Sequence, residues 1–164
     1  MKFAVRQAVA VPPDRAMAAY GSPSFYEGRP TRDDIAVRDV VRHEDAGDRV
    51  LLEVRFAFTG SLSPAVRAVV DPARMSWVTR TEILRAEARS SWVVLPDHYP
   101  DRLSARGTYR FKQGDDGPGS TDVEVEGDLK IRVPIVGRSV ERVIVADLRA
   151  YIADEVDGIP DWGG

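Results

Sequence analysis

Hydrophobic and polar residues alternate along most of this chain. In residues 2–11, Phe3, Val5, Val9 and Val11 share one face with Gln7, opposite Lys2, Ala4, Arg6, Ala8 and Ala10. A period of two predicts a half-buried strand. Pro12 and Pro13 stop it, and proline is tolerated in the first turn of a helix. A short helix is therefore expected over Asp14–Tyr20, closed by Gly21. Ser22-Pro23 repeats the signal, and Ser24-Phe25-Tyr26 reads as a second short helix ending near Gly28 and Pro30.

From Ile35 the period is two again, with Ile35, Val37, Asp39, Val41 and His43 facing one way. A turn at Asp45–Asp48 leads to the clearest strand, in which Val50, Leu52, Val54, Phe56 and Phe58 alternate with Leu51, Glu53, Arg55, Ala57 and Thr59. Gly60–Asp71 interrupts the strands, with a helical turn at Pro64–Val70. Met75, Trp77, Thr79, Thr81 and Ile83 then oppose Ser76, Val78, Arg80, Glu82 and Leu84. Strands follow at Ser90–Leu95, at Ser104–Gln113 (Ala105, Gly107, Tyr109 and Phe111 inward), and at Val123–Val133. Gly114–Gly119 reads as the loop between the last two.

After Pro134 the period changes. Val136, Val140, Val143, Ile144, Leu148, Tyr151 and Ile152 recur at intervals of three and four and form one broad apolar face. A helix from Pro134 to about Val156 is roughly 33 Å long. Gly158 and Pro160 end it, and residues 159–164 are left as a tail in which Trp162 either folds back or hangs free.

The order is thus one strand, two short helices, six strands and one long helix. Short connections make the strands antiparallel. Each strand has one apolar face, and only the C-terminal helix is long enough to cover the dry side of the sheet. The expected fold class is α+β: a curved seven-stranded antiparallel sheet, with two short helices after the first strand, wrapped around the long helix. Residues 1–158 are expected to form a single domain.

Composition narrows the function classes. With 23 basic and 26 acidic residues the net charge is -3, so no nucleic-acid partner is expected. The absence of cysteine rules out disulfides, thiolate metal sites and cysteine nucleophiles. No apolar run approaches the ~20 residues of a membrane helix, and the N-terminus does not read as a signal peptide, so a cytoplasmic location is expected. Lysine occurs only at Lys2, Lys112 and Lys130, a bias that reads as the codon usage of a GC-rich bacterial genome rather than as arginine chosen to bind phosphate, because the arginines are scattered. His43 and His98 lack metal-site spacing, no nucleophile elbow is present, and Gly114–Gly119 lacks the lysine of a phosphate loop. No cofactor, metal or catalytic residue is assigned.

Three local phrases carry a resemblance. Val11-Pro12-Pro13-Asp14-Arg15-Ala16-Met17 is similar to the strand-to-helix entry of the START-like superfamily, also called SRPBCC or helix-grip, which includes the birch pollen allergen. Ser22-Pro23-Ser24-Phe25-Tyr26 resembles its next helix. Val133-Pro134-Ile135-Val136-Gly137-Arg138-Ser139-Val140-Glu141 looks like a phrase of a bacterial branch without an assigned activity. The resemblance implies a hydrophobic cavity between sheet and helix. Members bind lipids, sterols, polyketides or hormones, and a minority are cyclases, hydrolases or dehydratases.

The candidate ligand-binding residues are therefore Phe56, Phe58, Trp77, Thr79, Tyr109, Phe111, Val140, Ile144, Asp147 and Tyr151. The aromatic set either fills the core or lines the cavity. Thr79 and Thr81 either offer hydroxyls to a ligand or simply favour the strand. Asp147 falls in the middle of the helix's apolar face, where a buried carboxylate is costly. It is read as a polar anchor or acid–base group, as half of a structural pair, or as a sign that the helix lifts away from the sheet. The partner expected is a small hydrophobic or amphipathic molecule. Alternatives are a cyclase- or hydrolase-type enzyme using the same cavity, and an interaction module whose free sheet edge forms a homodimer.

Overall fold

The structure, a computed structural model, describes residues 1–28, 35–61, 64–67, 70–133 and 137–164. Strand β1 (Lys2–Val9) is followed by helices α1 (Pro13–Tyr20) and α2 (Pro23–Glu27). Strands β2 (Ile35–Asp45) and β3 (Arg49–Phe58) come next, then a single helical turn, α3 (Pro64–Arg67). Strands β4 (Ser76–Leu84), β5 (Arg89–Pro96), β6 (Leu103–Gly114) and β7 (Gly117–Ile131) complete the sheet, and α4 (Gly137–Asp157) closes the order. All pairings are antiparallel, in the order β1-β7-β6-β5-β4-β3-β2. The long α4 lies on the concave side and packs against β1 and β7.

The curvature has a local cause. Gly107 and Gly127 face each other across β6 and β7, with Trp92 opposite Gly107 and Phe3 opposite Gly127. The Trp92 and Phe3 rings, with centroids 6.5 Å apart, occupy the space that a Cβ at either glycine would need. Two missing side chains in one rung let the sheet bend under two large rings.

The chain turns from β1 into the helices at Pro12, whose carbonyl accepts from the Ala16 N–H at 3.1 Å. The Thr121 hydroxyl donates to the Val11 carbonyl at 2.6 Å and anchors that corner to β7. The outer face is solvated and charged. Arg80 and Glu53 pair there at 2.6 Å and Arg6 and Asp122 at 2.5 Å, directly over the ladder.

Three sequence expectations are corrected. In β2, register shifts between Val37 and Asp39 and between Val40 and Arg42 break the alternation. Val40 consequently packs against the core, while Val41 is 45% exposed. Strand β7 begins at Gly117 rather than Val123, because Thr121 and Asp122 pair with β1 on one side and β6 on the other. Thr121 and Asp122 are held from both sides, while Gly117 continues the ladder with β6 alone, opposite Gly114. Val143, expected on the buried helix face, is 61% exposed. The expected start of the last helix at Pro134, with Val136 and the Val37 side chain, lies outside the described residues. Beyond α4, Ile159 is fully buried. Trp162 folds back: its indole N–H donates to the Ser24 hydroxyl at 3.0 Å, and the Arg15 guanidinium lies 5.8 Å from its ring centre.

Candidate functional site

Between the sheet and α4 lies a cavity of about 420 Å³. Every strand from β2 to β7 contributes inward side chains to it, as do α1, α2 and α4. Because strand residues alternate, the apolar positions read from the sequence converge on this space. Phe56 and Trp77 are direct cross-strand partners whose rings stack 5.9 Å apart. Tyr151 of α4 meets Phe56 edge-on at 6.0 Å and joins helix to sheet. Phe58, Thr79, Val140 and Ile144 also line the cavity. Thr81 lies one step beyond Thr79 along β4 and lines it too.

Two of the proposed residues are placed differently from expectation. Phe111 does not line the cavity. It is buried in the core beneath α1, packed against Tyr20 at 5.4 Å and stacked on Tyr109 at 6.3 Å. Asp147 does line the cavity, but it is exposed and stands at its rim. The argument from a buried carboxylate therefore fails for Asp147.

It applies instead to Glu155, which sequence reasoning missed. Glu155 is only 4% exposed and lines the cavity floor. The Tyr109 hydroxyl donates to its Oε2 at 3.1 Å. Burial first, and the Glu155 charge second, push the Tyr109 phenol well above its usual range, so it stays a donor. The signal was present in the spacing, for Glu155 follows Leu148 by seven residues, Tyr151 by four and Ile152 by three.

The cavity is graded. Its deep wall is formed by buried residues such as Tyr20, Val54, Trp92, Ala105, Leu129 and Ile152. Its mouth is formed by exposed ones, among them Ser61, Arg74, His98, Arg102, Val143 and Asp147. A mostly apolar pocket with a few polar groups suits an apolar or amphipathic molecule. Among the described residues, no group of three or more acidic and histidine side chains converges to hold a metal ion. No described helix is long and apolar enough to cross a membrane.

A sheet that grips one long helix over such a cavity is the START-like fold, and solved structures bear this out. Norcoclaurine synthase from Thalictrum flavum superposes with a TM-score of 0.63 at 15% identity, covering 98% of this chain and 94% of that one. A START superfamily protein from Mycobacterium smegmatis gives 0.58 at 15% identity, covering 96% and 94%. The Zhui aromatase/cyclase from Streptomyces sp. R1128 gives 0.55 at 14% identity, again covering 96% and 94%. At such identities the likeness shows the fold alone. The chain itself belongs to the family described as Protein of unknown function (DUF2505), whose model matches residues 4–162. No curated protein matches it significantly.

Proposed function

We propose that this protein binds a small hydrophobic or amphipathic molecule in the cavity between sheet and α4. The observation that carries this reading is the mostly apolar cavity of about 420 Å³, within the ~300–1,000 Å³ typical of small-molecule sites. In this reading Phe56, Phe58, Trp77, Val140, Ile144 and Tyr151 supply contact area. Thr79, Tyr109 and Asp147 supply polar contacts. Gentle mass spectrometry of the purified protein tests it by detecting a co-purified small molecule. Uptake of the neutral dye Nile red, lost on Ile144→Trp in a protein that still melts cooperatively, supports the cavity as the site. Unchanged uptake by that variant refutes it.

A second reading, an enzyme using the same cavity, is favoured by one observation: two ionisable groups, Tyr109 and Glu155, converge at its floor. Turnover of a bound ligand that Tyr109→Phe abolishes without loss of binding is its test.

A further inference from the structure

The mouth of the cavity carries an arrangement that an apolar ligand alone does not explain. Arg74 and Arg102 both border it, and both guanidinium groups sit over one ring, that of Tyr99, at 5.6 and 5.2 Å from its centre. Cation–π contact holds each cation in place, yet two like charges gathered on one ring repel. Arg74 has no carboxylate partner among the described residues. His98 stands on the same rim, and among the described lining residues the acidic one at the mouth is Asp147, on the helix side. The charged side chains that line the described sheet side of the mouth are Arg74 and Arg102.

The backbone beneath is strained to present this cluster. Tyr99 has φ +58°, a left-handed conformation unfavourable for a bulky residue. The N–H groups of Arg102 and Leu103 both donate to its carbonyl, at 2.9 and 3.3 Å, and hold it there. Strain kept in place by redundant hydrogen bonds concentrates where a side chain must be aimed.

We propose that the ligand is a single-chain amphiphile with an anionic head, carboxylate or phosphate, held at the rim by Arg74 and Arg102 while its chain fills the cavity. This rests on the cavity being a ligand site. An anion bound between the two guanidinium groups gains charge-assisted hydrogen bonds. The apolar walls receive the chain, as the graded lining requires.

The test is competition against bound Nile red by dodecanoate, dodecyl phosphate, dodecanol and dodecylammonium. One or both anions should displace the dye at concentrations about tenfold or more below dodecanol, the scale of one charge-assisted hydrogen bond. Which anion is the tighter identifies the head. Arg74→Ala should erase most of that advantage. The double variant Arg74→Glu with Arg102→Glu should transfer it to dodecylammonium. Both positions are exposed, and a melting curve confirms that the variants fold. Equal displacement by dodecanol and both anions, or an advantage that survives the double substitution, overturns the head assignment and leaves the apolar site standing. Failure of the parent protein to take up Nile red or any of the four competitors overturns the cavity reading, and this inference with it.

Discussion

Tyr109→Phe isolates the contact between sheet and helix that sequence reasoning did not anticipate. The substitution removes one oxygen and leaves the ring, its stacking on Phe111 at 6.3 Å and its packing against Tyr20 at 4.8 Å unchanged. What is lost is the donor to Glu155 Oε2, 3.1 Å away. Tyr109 and Glu155 are only 7% and 4% exposed, so water does not readily replace that donor. A hydrogen bond to a buried charged acceptor contributes about 1.5–3 kcal/mol, and that is the expected loss. Urea unfolding measures it as a lower midpoint at unchanged slope. A double-mutant cycle with Glu155→Leu should give a coupling energy of about 1 kcal/mol or more. A second signature lies in the pH dependence. The folded phenol has a raised pKa, so its stabilising contribution is whole below the unfolded value of about 10 and is lost as pH rises through the folded value. The parent should therefore lose stability above about pH 10 more steeply than Tyr109→Phe does. A loss under about 0.5 kcal/mol, together with identical alkaline limbs, refutes the buried pair.

Asp97 works in the opposite direction. The Ser76 hydroxyl, at 2.6 Å, and the Arg55 guanidinium lower its pKa. Its contribution is thus present above the unfolded value of about 3.9 and disappears as pH falls through the folded one. Asp97→Asn should destabilise by about 1 kcal/mol or less at neutral pH, with the gap closing in acid melting curves. Gly127→Ala should cost about 1–3 kcal/mol, because its methyl collides with the Phe3 ring. Phe3→Leu in the same chain should recover part of that loss in denaturant titrations. Trp162→Ala gives up a hydrogen bond to Ser24 and a cation–π contact with Arg15. It should cost about 1–2 kcal/mol and make the chain's C-terminal residues accessible to carboxypeptidase.

Most strands were legible because alternation is a local property. Val50 to Phe58 reports its own buried face without reference to any neighbour, and Pro12-Pro13 and Ser22-Pro23 punctuate the helices by chemistry that acts within one turn. What depends on a neighbour was not legible. The phase change in β2 arises from two register shifts against β3, and nothing in the alternation of Ile35, Val37 and Val41 marks where an extra residue enters the ladder. The early start of β7 likewise depends on neighbours, β6 opposite Gly117 and both β1 and β6 at Thr121 and Asp122.

The exchange of roles between Asp147 and Glu155 shows the limit most clearly. They are eight residues apart, a little over two turns, and so point about 80° apart around the helix axis. Both fall within the broad apolar stripe read from the sequence, which does not show which of its edges meets the sheet. Around α4, however, the cover changes. Val143 and Asp147 stand over the open mouth, whereas Tyr151, Ile152, Glu155 and Val156 are buried. A single apolar stripe thus contributes the rim of the cavity along one edge and its floor along the other. That geometry exposes one carboxylate and sets the other against a tyrosine donor. Asp147→Leu, at an exposed position, should accordingly change stability by about 1 kcal/mol or less, while Glu155→Leu, which leaves the buried Tyr109 hydroxyl without its acceptor, should cost more than that. Equal effects from the two substitutions in the same urea titration would mean that both edges of the stripe are equally covered and that the cavity has no graded mouth.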